Sequence, residues 1–382
     1  MAAIGVLLTL RRPDSLWNAQ LWAEDGTIFL QQHIDFGLRS IFTPHAGYLL
    51  FVPRLIAAFA AELFPLQYVP LAYNLLSLIV AALALSRISV SGLPIAAPYL
   101  LAIFAVLVPH GGEIFNNITN LQWILALLMF VLLVEGHARD IRTNWINVIL
   151  VIAVGLTGPF GVIYLPAVTL LWTFDHRYRQ SRPVVVAYLS TIVAQGISLA
   201  GGGAANDRSL SLGSLIQWFS SELMLPLFGV NAGVSSNPVN QSIAAVASFV
   251  VLISPVLVRQ QLASLVLATL ASSLSLVMAS ALKLGDQVLP MIGAFSGGQR
   301  YTYVPYVLFS WCLIFVAIEP KHQIIRWSAL LGLLLILIVS LSRFAAPAML
   351  DLKWNEHVSV PRSETIEVLI NPGWKLRIPP NR

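Results

Sequence analysis

Two adjacent carboxylates, Glu24 and Asp25, followed by Gly26, interrupt the apolar stretch 21–30. A carboxylate held at a hydrated boundary can take a proton from a hydroxyl, which is general-base chemistry. The plainer reading makes Asp25 a helix N-cap and Glu24 its solvated neighbour. A second polar cluster, 110–123, crowds Glu113, Asn116, Asn117, Thr119, Asn120 and Gln122 between two apolar runs. Amides and hydroxyls at that density suit sugar hydroxyls, each of which donates and accepts, and they equally suit a polar cap over two helix ends. Asn117-Ile118-Thr119 also matches a glycosylation acceptor, a weak motif in so short a loop. A third cluster, 297–305, sets Arg300 beside Tyr301 and Tyr303 after two glycines. A planar guanidinium can hold a phosphate through two parallel hydrogen bonds. The tyrosines can stack on a sugar face or anchor at a membrane interface, and the glycines allow backbone to approach a ligand closely.

The elements that must position these groups are membrane helices. Of the 382 residues, 57% are hydrophobic and only 10% charged, with a mean hydropathy of +0.80. That composition predicts an all-α polytopic membrane protein, better counted in spans than in soluble domains. Ten segments read as spans: 68–86, 93–110, 121–135, 145–157, 161–174, 184–200, 242–258, 262–282, 302–318 and 327–342. Several fall short of the ~20 residues of a full crossing. Gly158-Pro159 breaks one apolar run into two short helices meeting at one face. Residues 1–10 are apolar, lack the features of a signal peptide, and read as the stub of an eleventh span.

Orientation follows from the basic connections: Arg87; Arg139 and Arg142; Arg177, Arg179 and Arg182; Arg259; Lys321 and Arg326. These alternate with connections poor in Lys and Arg, so they are expected in the cytoplasm and the acidic pair outside. The first outer loop, 11–67, carries Asp14, Glu24, Asp25, Asp35, Arg39, Arg54, Glu62, His33 and His45. It predicts a short surface helix from Asp25 to a stop at Gly37. A second, interfacial helix at 49–64 is expected to send Arg54 to the headgroup layer. Residues 210–227 have the apolar spacing of another interfacial helix. The tail, 343–382, alternates polar and apolar residues around Asn371-Pro372-Gly373 and predicts two short outer strands on a small appendage.

Several function classes fall away. The net charge of +5 is dispersed over the loops, which supports no nucleic-acid partner. Cys312, the sole cysteine, allows neither an intramolecular disulfide nor a cysteine metal site. The expected spans hold no ionisable residue at their centres, which weighs against a transporter.

An acidic pair in the first outer loop, flanking surface helices, short broken spans and a later outer arginine together resemble the GT-C superfamily of membrane glycosyltransferases that use polyprenyl-phosphate-linked sugars. The similarity is to bacterial members that glucosylate surface polysaccharides, and it covers residues 1–342; the tail has no counterpart. It implies an inverting transfer at the outer face of the bacterial inner membrane. Asp25 is then the general base with Glu24 its partner, and Arg300, Arg54 and Lys283 bind the donor phosphate. Glu113, Asn117, Asn120, Tyr301 and Tyr303 are then expected to hold sugar or acceptor. The partners implied are the lipid-linked donor, a glycan or lipid acceptor and the bilayer, with no nucleic acid. No cofactor is expected; Glu24, Asp25 and Glu113 can hold a divalent cation, but a metal-free site fits so few carboxylates better. The rival readings are a lipid-linked oligosaccharide ligase or polymerase, a lipid or glycan flippase or permease, and a noncatalytic scaffold.

Overall fold

Each long helix follows an apolar run and stops where polar, Gly or Pro residues begin. The computed structural model describes residues 1–138, 140–201, 209–229, 262–318 and 323–380. The expected span 242–258, and with it Arg139, Arg259 and Lys321, lies outside the described residues. In chain order the helices are α1 (Ala2–Arg11), α2 (Gln31–Phe36), α3 (Phe51–Leu63), α4 (Val69–Ser89) and α5 (Tyr99–Leu107). Next come α6 (Leu121–Val134), α7 (Ile141–Gly155), α8 (Phe160–Phe174), α9 (Arg182–Gly201), α10 (Leu212–Trp218) and α11 (Leu225–Leu227). The last described are α12 (Ala263–Val288), α13 (Arg300–Ile318), α14 (Gln323–Ser342) and α15 (Trp354–Val358).

Five helices are long and apolar enough to cross a membrane: Leu66–Ser89, Arg182–Gly201, Ala263–Met291, Arg300–Ile318 and Gln323–Ser342. Of the ten or eleven spans expected, these five meet the length of a full crossing among the described residues. α6 has 14 residues, every one of them buried, so it is apolar all round because protein surrounds it rather than lipid. α7 and α8 have 15 residues each and are separated by a break in which Gly158 has φ +90°. α5 has only 9 residues, and α1, the expected stub, has 10.

α6 and α13 form the centre of the bundle. α13 is buried along nearly its whole length and packs against α12, α14, α5 and α6, while α4, α7 and α8 pack on α6. α9 and α14 turn rows of large apolar side chains outward, including Val193, Ile197, Leu331 and Leu334. Such faces suit a lipid environment.

At one end of the bundle the basic connections close on acidic partners. Glu135 takes Arg87, the Asn147 amide at 3.1 Å and the Gly92 N–H at 3.1 Å. Asp175 takes Arg177 at 2.7 Å and the Ser264 hydroxyl at 2.6 Å. The opposite end gathers the loops that carry the acidic pair, the 108–120 cluster, Gly158 and Arg300. The Gly158 N–H donates to the Leu49 carbonyl at 2.8 Å and the Gly111 N–H to that of Ala294 at 2.8 Å.

The tail belongs to that second end. The expected strands form an antiparallel pair, β1 (Ile366–Ile370) and β2 (Trp374–Ile378), with Val368 opposite Leu376. Val368, Ile370, Leu376 and Ile378 are buried. The tail is no mere appendage. Ala23 N–H donates to the Asn371 carbonyl at 2.6 Å and Ala346 N–H to that of Arg11 at 2.8 Å. Met349 N–H meets Asp14 at 2.7 Å.

Candidate functional site

The acidic pair opens a π-helical turn, Asp25–Leu30, that runs straight into α2. Such turns are uncommon and occur often at functional sites. The helix ends where expected, at Gly37, whose φ of +58° suits a residue without a side chain. Just before the pair, Ala23 sits at φ +41°, a strained conformation for alanine. It is held there by the Asn371 carbonyl, and the chain turns so sharply that the two carboxylates part company.

Asp25 points inward and is fully buried. Its Oδ1 accepts from the Thr119 N–H at 2.9 Å and the Thr119 hydroxyl at 2.6 Å, and its Oδ2 from the Trp22 N–H at 3.2 Å. Burial pushes its pKa up to about 7 against these hydrogen bonds, with Glu24 adding to the rise. Asp25 is thus no N-cap; it ties the first loop to the 108–120 loop.

Glu24 points the other way. Its Oε1 lies 3.7 Å from Arg300 Nη1, and its buried Oε2 has no hydrogen-bond partner. Glu113 completes the group, with Oε1 3.2 Å from the same Nη1 and Oε2 accepting the Arg300 N–H at 3.2 Å. Burial raises the Glu113 pKa, opposed by Arg300 and reinforced by Glu24. One guanidinium therefore faces two carboxylates, and a bound anion has to compete with them.

Further positive charge stands close by. Lys283 Nζ lies 5.3 Å from the Tyr48 ring and 6.0 Å from that of Tyr301, and the Arg300 guanidinium lies 5.7 Å from Tyr301. His45 and Tyr48 pair through their backbones across a tight turn in which Ala46 has φ +52° and Gly47 φ +86°. Positive φ at both central positions is the geometry of a type I′ turn, and it costs strain at Ala46. Burial lowers the His45 pKa; Glu24 opposes this, while Arg54, Lys283 and Arg300 add to it. His45 thus stands among charged groups of both signs. Sequence reasoning placed His45 in the loop without giving it a role; the Ala-Gly turn that presents it was the available signal.

Other expected site residues fall elsewhere. Arg54 does not reach the headgroup layer: it is buried, donates to Gln32 at 2.7 Å and lies over Phe29. Its Nε and Nη1 have no hydrogen-bond partner, and burial lowers its pKa to about 10. Asn117 and Asn120, expected to hold sugar, instead fold their own loop. Both amides donate to the Glu113 carbonyl, at 2.7 and 2.9 Å, and Asn117 Oδ1 accepts the Asn120 N–H. Tyr303 is a core residue whose hydroxyl donates to the Ala105 carbonyl at 2.9 Å. Tyr301 remains at the site, packed edge-on against Trp123. Trp218, expected on an interfacial helix, is buried and donates to the Ile292 carbonyl at 2.8 Å. Among the described residues no group of three or more His, Cys, Asp or Glu is placed to hold a metal ion.

Neither a protein-family model, nor a curated protein, nor a solved structure matches this chain. The fold and site define a mostly helical protein compatible with integration in a membrane, with a mixed acidic and basic cluster at one end.

Proposed function

We propose that this protein is a membrane glycosyltransferase that moves a sugar from a polyprenyl-phosphate donor to a glycan or lipid acceptor. The observation that carries this reading is the convergence of Glu24, Glu113 and Arg300, with Lys283 and His45 around them, at one end of an apolar bundle. A carboxylate beside clustered cations suits a reaction in which a hydroxyl loses a proton while a phosphate leaves. The apolar helices give the polyprenyl chain a lipid environment while its phosphate stays at the charged end. We place that end at the outer face of a bacterial inner membrane, in keeping with the basic bias of the opposite connections.

In this mechanism the acceptor oxygen attacks the anomeric carbon from the face opposite the leaving group, and the configuration inverts. The bond from anomeric carbon to phosphate oxygen breaks and its electron pair leaves with the phosphate, beside Arg300 and Lys283. The acceptor proton passes to a carboxylate of the pair. The geometry favours Glu24 over Asp25 for that step, because Glu24 Oε2 is unpartnered whereas both Asp25 oxygens are held. Asp25 then positions the turn that presents Glu24. The packed apolar centre formed by α6 and α13 favours surface chemistry over a flippase or permease, which needs a polar path.

The test is direct. Purified full-length protein in nanodiscs is given polyprenyl-phosphate-linked sugars and a lysate-derived glycan fraction, and transfer is read by mass shift. Sugar transfer that requires the lipid donor is expected; no transfer from any donor, with the protein folded, removes the reading.

A further inference from the structure

A cavity opens between Glu113 and the tail. It holds about 240 Å³ and is lined by Arg12, Trp22, Gly111, Glu113 and Gln299 on one side and by the tail segment 346–350 and Asn371 on the other. That is below the roughly 300–1,000 Å³ of drug-sized pockets, and it leaves room for a single small ring. The walls are unusually polar for this chain. Arg12 is 5% exposed and donates to the Gly112 carbonyl at 3.2 Å. Its guanidinium lies 5.7 Å from the Trp22 ring, and the buried Trp22 indole N–H has no partner.

The charge pattern narrows the ligand. Burial lowers the Arg12 pKa against the pull of Asp14, Asp25 and Glu113, and because Glu113 itself lines the cavity, an anion entering it meets a carboxylate as well as Arg12. A neutral ring with several hydroxyls fits better, because it can accept from Arg12 and the indole and donate to Glu113 while lying against an aromatic surface. The cavity also joins the acidic pair directly. Trp22 N–H donates to Asp25, and Glu113 lines the cavity while binding Arg300.

We propose that this cavity is a subsite for one neutral sugar ring of the acceptor, placed on the far side of Glu113 from the cations that take the donor phosphate. The assignment to an acceptor rests on the glycosyltransferase reading; the sugar-binding chemistry of the cavity does not. Trp22 in the cavity wall stands two residues before Glu24 in the chain.

Saturation-transfer NMR on the full chain in nanodiscs tests this, with methyl glucoside, methyl galactoside and methyl mannoside as probes. At least one glycoside is expected to bind, with affinity reduced about tenfold in Trp22→Leu and less in Trp22→Phe, which keeps the aromatic face. Binding should persist in the presence of inorganic phosphate and of polyprenyl phosphate. No signal from any glycoside, or a signal indifferent to Trp22→Leu, overturns the proposal. So does displacement by inorganic phosphate, which would mark an anion site, or by polyprenyl phosphate, which would assign the ring to the donor. Thermal unfolding verifies that each variant is folded, and Trp22→Phe keeps the test open if Trp22→Leu is not. Glycoside binding by a protein that transfers no sugar counts against the glycosyltransferase reading alone and leaves the subsite standing.

Discussion

The two ends of the bundle handle charge in opposite ways. At one end Glu135 is enclosed by Arg87, Asn147 and the Gly92 N–H, so that both oxygens are engaged. At the other, Glu24 keeps an unpartnered oxygen, Arg54 two unpartnered nitrogens and Trp22 a free indole N–H. A closed ionic network stabilises a fold, whereas polar atoms left without partners in buried surroundings raise its energy unless a ligand meets them. Strain follows the same division: Ala23 and Ala46, each at positive φ, both lie at the acidic end. The contrast lies in how the carboxylates are held: both Glu135 oxygens are engaged, whereas one Glu24 oxygen is not.

Substitutions at the two ends should therefore fail differently. The largest effect is expected for Glu24→Gln, which should lower transfer by about 10² to 10⁴ with little change in thermal stability. Asp25→Asn should cost less, and a larger loss in Asp25→Asn, read in the same assay, would return the base role to Asp25. Glu135→Ala should do the reverse, lowering stability by about 3 kcal/mol because Arg87 loses its buried partner, while transfer per folded molecule is unchanged. Denaturation and activity measured on one preparation separate the two. Arg300→Lys should weaken donor use about tenfold, since an ammonium cannot satisfy two carboxylates and a phosphate as the planar fork does; an unchanged donor titration removes Arg300 from the phosphate site.

The smallest effect concerns pH. The Asp25 pKa is raised to about 7 from an ordinary 3.8, so between those values the folded protein holds a proton that the unfolded chain has released. Its contribution to stability is complete below the lower value and is lost as pH rises through about 7. The wild type should therefore lose stability relative to Asp25→Asn across that window, and the two should run parallel above it. Thermal unfolding from pH 4 to 8.5 gives the comparison, and a difference that grows in the opposite direction contradicts the burial of Asp25.

What could be read from the residues was local. The helix from Asp25 to Gly37 and the strands on either side of Asn371-Pro372-Gly373 follow from short-range signals. Burial was not legible, because a helix enclosed by protein and one with an open apolar face can be equally apolar: α6 is buried throughout whereas α14 exposes Leu331 and Leu334. Arg54 was misplaced for a related reason. Its helix is amphipathic, but the partner of the polar group, Gln32, comes from a neighbouring helix that no periodicity reveals. Asn117 and Asn120 were legible as polar and not as self-satisfied, since their shared acceptor is a backbone carbonyl.

The contact between Asp14 and Met349 spans 335 positions, and the Asn371 carbonyl reaches back to Ala23. The acidic turn is made early in synthesis, yet the group that fixes its shape is made long after the helices between. Closing so long a loop is slow, and until it closes Ala23 has nothing to hold it at positive φ. A chain stalled or cleaved before the tail docks has its carboxylates but lacks the Asn371 contact on the turn just before them.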